Sequence, residues 1–204
     1  MSYLNGIDIS HHNYTTIKAQ SKNYLYDKAL TGFVMMKATE GATWIDPRFN
    51  EYIRMIGEHA ITTHAVQVGA YHYARPEYNL PEAEAKNFLD MTWKYSGHMV
   101  YALDVEGRAL SVQDLDKWCR KWLDIVYKET GSRPLVYVQR SALKLFSSVP
   151  EGDYGLWLAA WIKSRPKDTQ PWPFMAMWQY TSVNMDEDIF FGGPAQWFKY
   201  AGGR

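Results

Sequence analysis

The feature that most limits what this chain can fold into is a steady alternation, from one end to the other, of short apolar runs with longer amphipathic stretches. Strands buried on both faces and separated by helical patterns are what parallel βα units produce, because each crossover lays a helix over the sheet. The spacing predicts strands at 7–10, 33–38, 66–73, 99–105, 134–138, 155–161 and 175–181. Repeated units of this kind make an α/β fold, either a barrel or a doubly wound sheet. In both, the ligand site lies beyond the C-terminal ends of the strands.

Helical signals fall between the strands. Ser111 reads as the N-cap of a helix over 112–129, with Leu115, Trp118, Cys119, Trp122, Ile125 and Val126 as its apolar stripe and Gly131 as its stop. Asp46 reads as the cap of a second helix, with Pro47 in the first turn and Phe49, Ile53, Ile56 and Ala60 facing inward. A third begins near Pro81 and carries Ala85, Phe88, Leu89 and Trp93, whereas 164–173, with three prolines, reads as a surface loop. No repeat or linker divides the 204 residues, a length that suits one domain.

The segment YALDVEG places Asp104 and Glu106 two residues apart after the apolar run 99–103, so on an extended strand both point to one face, roughly 6.6 Å apart at Cα. Two acids at the end of a buried strand are costly to keep without a purpose. Close carboxyls can divide acid and base roles, because repulsion holds a proton on one of them. Asp8 closes the first strand, with a turn cap as its bland reading, and Asp186, Glu187 and Asp188 form an acidic cluster whose default is a solvated loop. Polar and aromatic residues collect at the other strand ends as well: Lys37 to Glu40, Tyr71 to Tyr73, Tyr137, Trp161, Gln179 and Tyr180.

Composition narrows the classes. The 22 basic and 22 acidic residues cancel, which argues against nucleic acid or a membrane surface as partner. A single cysteine allows no internal disulfide and suits a reducing compartment; no run approaches the roughly 18 apolar residues of a membrane span, and the start shows no signal peptide. Aromatic residues make up 16%, with nine Trp and fifteen Tyr, which suits either a Trp-rich core or a cleft where sugar faces stack on rings.

Taken in order, GIDIS at 6–10, VMMKATEG at 34–41, VGAYHYARP at 68–76, ALDVEG at 102–107, LVYV at 135–138, LWLAAW at 156–161 and WQYTS at 178–182 resemble glycoside hydrolase family 25, the lysozymes of fungi, streptomycetes and many phage endolysins. The resemblance implies a single-domain, irregular, flattened (β/α) TIM-like barrel spanning 1–204 with no separate cell-wall-binding domain. It implies cleavage of the β-1,4 bond between N-acetylmuramic acid and N-acetylglucosamine in peptidoglycan, without cofactor or metal. By the same resemblance Glu106 is the general acid, Asp104 orients the substrate's acetamide so that its carbonyl oxygen attacks the anomeric carbon, and Asp8 and Asp186 are supporting acids. The family's C-terminal pattern, an Asp two residues before an Asn and four before a Phe, falls on Asp186, Asp188 and Phe190. Lys37, Glu40, Tyr71, Tyr73, Tyr137, Trp161 and Gln179 are the expected substrate-binding residues. Departures are His11-His12-Asn13 where a Gln is common, a short segment before Asp186, and Trp161 where Tyr is frequent.

Two rivals remain at this level. His11 and His12 near Asp8, together with His72, suggest the metal site of a polysaccharide deacetylase, although no helical metal-binding pair is present. A non-catalytic glycan-binding module would keep the aromatics but has no reason to keep both Asp104 and Glu106. The chain is further expected to be a monomer acting on peptidoglycan strands. In its expected setting it accumulates in a phage-infected host's cytoplasm before release to the wall or periplasm.

Overall fold

In the computed structural model, which describes residues 2–203, the apolar runs become strands and the stretches between them helices. Chain order is β1 (Leu4–Ile9), α1 (Tyr14–Lys18), α2 (Tyr24–Thr31), β2 (Phe33–Glu40), β3 (Trp44–Ile45), α3 (Phe49–Ile56), α4 (Glu58–Thr62), β4 (Val68–Tyr73), α5 (Pro81–Thr92) and β5 (Val100–Val105). It continues with α6 (Leu115–Thr130), β6 (Leu135–Gln139), α7 (Ser148–Glu151), β7 (Gly155–Ala159), β8 (Met175–Thr181), β9 (Asp186–Phe190) and α8 (Pro194–Tyr200). Of the nine strands, eight close into a barrel in the order β1, β2, β4, β5, β6, β7, β8, β9 and back to β1, while β3 is a short hairpin addition to β2. Pairings from β1 round to β8 are parallel, and β9 runs antiparallel to both β8 and β1.

Side chains alternate across a strand, so one series faces the lumen and the other the helices. Phe33, Met35, Val100, Leu135, Met177 and Phe190 fill the lower lumen, and α8 plugs its floor with Trp197. That ring lies 4.8 Å from Phe33 and 5.2 Å from Phe190, and its indole nitrogen donates to the Val68 carbonyl at 3.3 Å. The outward series, including Ile7, Ile9, Val34, Met36, Val136 and Leu158, packs under the helices in one continuous core.

Several boundaries differ from the sequence expectation. The helix placed at 112–129 begins at Leu115, because Gly107–Ser111 forms a 3-10 turn and Asp114, in left-handed backbone (φ 56°), sets the start. Ser111 is therefore no cap; of the stripe, Leu115, Cys119, Trp122 and Val126 are buried and Trp118 and Ile125 half-buried, and Gly131 (φ 71°) ends the helix. Asp46 accepts from the Arg48 amide at 2.8 Å and steadies the turn containing Pro47, but α3 starts only at Phe49. Gly57 (φ 100°) then breaks the run, which puts Ala60 on α4. Trp93 follows α5 in a 3-10 turn and is 62% exposed rather than packed. The loop 164–173 is no mere surface segment: Trp172 is buried and its indole donates to the Tyr154 carbonyl at 2.9 Å. Most consequential, the acidic cluster 186–188 is a barrel strand and not a solvated loop.

Candidate active site

The lumen-facing series turns from apolar to polar near the C-terminal ends of the parallel strands. Leu4 is followed on that face by Asp8, Phe33 and Met35 by Lys37, Val100 and Ala102 by Asp104, and Leu135 by Tyr137. Ladder register sets these ends side by side: Lys37 pairs with Tyr71, Tyr73 with Asp104, Asp104 with Tyr137, and Tyr137 with Trp157. Because β9 is antiparallel, its start lies at the same end, and Asp186 stands opposite Asp8 while Asp188 stands opposite Gln179.

They enclose a cavity of about 320 Å³. Of the expected site residues, Asp8, Lys37, Tyr71, Tyr73, Asp104, Glu106, Tyr137, Trp161, Gln179 and Asp186 line it. Glu40 stands behind the wall, accepting from the Lys37 ammonium at 2.7 Å and from Arg75 Nε at 2.7 Å. The strand expected to reach 161 stops at Ala159, so Trp161 sits on the segment beyond it, 63% exposed at the rim, with its indole donating to Gln179 Oε1 at 3.1 Å. Ser10, His12, Trp157 and Ser182 also line the cavity, and sequence reasoning did not assign them to a substrate. Trp157 was within reach of it, since it shares the strand alternation of LWLAAW with Trp161.

Burial decides the electrostatics. Asp104 is shut away from water, and desolvation with repulsion from Glu106 raises its pKa well above the carboxylate range. Its Oδ1 is buried and has no hydrogen-bond partner among the described residues. Glu106, just past β5 and more open, is raised by desolvation and by Asp186, against the opposing pull of Lys37 and a hydrogen bond from Tyr73. Desolvation and Asp186 push Asp8 up to about 7, and burial likewise raises Asp186. Lys37 is the one cation in the wall; its ammonium lies 4.5 Å from the Tyr73 ring centre and 5.0 Å from that of Trp44.

Of the three candidate metal histidines, His12 lines the cavity, and the other two are committed elsewhere. His11 Nδ1 bonds Asp46 at 2.9 Å. His72, fully buried, donates from Nε2 to Glu84 at 2.8 Å and takes the Thr39 hydroxyl at Nδ1 at 2.7 Å; desolvation lowers its pKa and keeps the ring neutral. This network also holds the chain after β4, where Glu84 accepts from the Arg75 amide at 3.0 Å. Among the described residues, no group of three or more His, Cys, Asp or Glu is placed to hold a metal ion. None of the described helices is long and apolar enough to cross a membrane.

Comparison with known proteins agrees with this architecture. The family model described as glycosyl hydrolases family 25 matches residues 7–189. An uncharacterized protein, YegX, of Escherichia coli O157:H7 is 32% identical over 162 residues, covering 77% of this chain and 55% of the relative, so the chain spans little more than half that relative's length. An N,O-diacetylmuramidase of Arthroderma benhamiae is 28% identical over 192 residues, 84% of this chain and 77% of the relative. Among solved structures, a family GH25 lysozyme from Aspergillus fumigatus superposes with a TM-score of 0.78 at 26% identity, covering 99% of this chain and 100% of that one.

Proposed function

The chain belongs to glycosyl hydrolases family 25, and on that premise we propose that it is a muramidase that cleaves the β-1,4 bond between N-acetylmuramic acid and N-acetylglucosamine in peptidoglycan. The observation that carries the reading is the inequality of the two acids at the end of β5. Asp104 is buried with an unpartnered oxygen, whereas Glu106 is more open, on the cavity wall, and has a raised pKa.

Glu106, whose raised pKa favours the protonated form, gives its proton to the glycosidic oxygen as the bond from that oxygen to the anomeric carbon breaks. The acetamide N–H of the muramic acid donates to the Asp104 carboxyl group on the cavity wall, which turns the acetamide oxygen toward the anomeric carbon to capture the developing cation. Water then enters, gives its proton to Glu106 and opens the ring so formed. Asp8 and Asp186 supply negative potential beside that cation, Lys37 limits the repulsion among the acids, and Trp161 offers a ring for a sugar face at the rim. Two of the three histidines that a metal-dependent deacetylase would need, His11 and His72, are bound to Asp46 and to Glu84 and Thr39, which leaves His12 alone on the cavity wall.

The test is clearance of a chloroform-treated bacterial suspension by the parent and by Glu106→Gln. The variant is expected to lose at least about a hundredfold in rate, the low end for a general acid. Muramic acid at the new reducing ends, read by mass spectrometry, supports muramidase action, and glucosamine there contradicts it. For the setting we propose a monomeric phage endolysin acting on a host wall from within; expression in the host with and without a membrane-perforating protein tests it, since lysis should need both.

A further inference from the structure

The hydrogen bonds around Gln179 determine where one proton must sit. Tyr137 Oη and Trp161 Nε1 both donate to Gln179 Oε1, at 3.0 and 3.1 Å. The amide nitrogen is thereby turned to Asp8 and donates to its Oδ2 at 2.7 Å. Asp188 on β9, opposite Gly6, shares the lumen face with Asp8 on the neighbouring strand, and each carboxyl shifts the pKa of the other. Asp188 is wholly buried, and its Oδ1 accepts from Trp157 Nε1 at 2.7 Å. An indole nitrogen only donates, so this oxygen is an acceptor, the part that the carbonyl oxygen plays in a protonated carboxyl. Asp188 Oδ2 is buried and has no hydrogen-bond partner among the described residues. Two acceptors cannot bond to each other; a proton on one of them makes the contact favourable and satisfies the orphaned oxygen.

We infer that Asp188 is a positioning residue held as a neutral acid, its Oδ2–H donating to Asp8 and fixing that carboxyl group against the cavity. The ionisable groups that face Asp188 are Asp8 from β1 and Asp186 two residues back on β9, while β7 and β8 present the neutral Trp157 and Gln179. No cation faces it, and burial plus two carboxyl neighbours all favour keeping the proton. Donation by Asp188 eases ionisation of Asp8 by the same hydrogen bond. Trp161, at the rim, thus connects through Gln179 and Asp8 to Asp188 and Trp157 below.

The inference rests on the proposed reaction only for its activity readout. Asp188→Asn is neutral and can offer Nδ2–H to Asp8 while its oxygen accepts from Trp157. At neutral pH, a difference infrared spectrum of parent minus Asp188→Asn should show the carbonyl band of a protonated carboxylic acid, and no such band overturns the inference. The variant should keep kcat/KM within about threefold, with the acid limb of the pH profile in place. A limb displaced by about one pH unit or more would mean a charge had been removed from beside Asp8, and would equally overturn it. Asp188→Leu, which removes both the donor and the acceptor, should lose about tenfold or more in kcat, provided circular dichroism shows a folded chain. If the parent cleaves no peptidoglycan, the proposed function fails, while the infrared band still decides the state of Asp188.

Discussion

Trp161 stands mostly in solvent, yet its indole nitrogen is tied to Gln179, so its ring is held in place before any sugar arrives. A stacked aromatic contact contributes about 0.5–1.5 kcal/mol beyond burial. Trp161→Ala should therefore raise KM by roughly two- to tenfold with kcat little changed, measured on soluble glycan fragments. Asp104→Asn should behave differently. Its amide can turn its N–H end to the acetamide and set two donors face to face, so the loss should fall on kcat, by about a hundredfold or more. These two residues were legible in the sequence because each follows an apolar strand. Asp188 was visible too, as one member of an acidic cluster, but its state was not. That depends on Trp157, Gln179 and Asp8, which come from three other strands.

At the scale of elements, β4 and β2 meet closely because Gly69 has no side chain. A Cβ there would lie 2.2 Å from Met35 Sδ and 2.6 Å from the Val100 carbonyl oxygen, so room cannot be made by a side chain alone. Gly69→Ala should cost about 1–3 kcal/mol, the range for overpacking, read as a lower urea midpoint. The parallel strands were readable because burial on both faces makes them apolar throughout. β9 was not, since its first two lumen-facing positions are Asp186 and Asp188, and the chemistry of the cavity displaced the apolar pattern that marks a strand. The start of α6 was misread for a similar reason: the chain leaves Glu106 through a 3-10 turn, so Ser111 is spent before the helix begins.

For the whole molecule, burying these acids makes stability depend on pH. Folded Asp8 keeps its proton to about 7 against an ordinary 3.8, so between those values the folded state binds more protons than the unfolded one. Asp8 therefore lowers stability progressively as pH rises through that window, by at most about 1.4 kcal/mol per unit, and adds no further slope above it. Neutral His72 works in the opposite sense, since its stabilising contribution is lost as pH falls below 6.5. Asp8→Asn leaves the histidine alone, so urea unfolding at about pH 5 and pH 8 should show a more positive change in stability with pH in the variant; equal changes would contradict a raised Asp8. One further consequence belongs to β9. This strand both seals the barrel between β8 and β1 and delivers Asp186 to the cavity. Every residue up to Phe190 must leave the ribosome before either can happen, so a copy cut short before β9 has neither a closed barrel nor its full set of cavity acids.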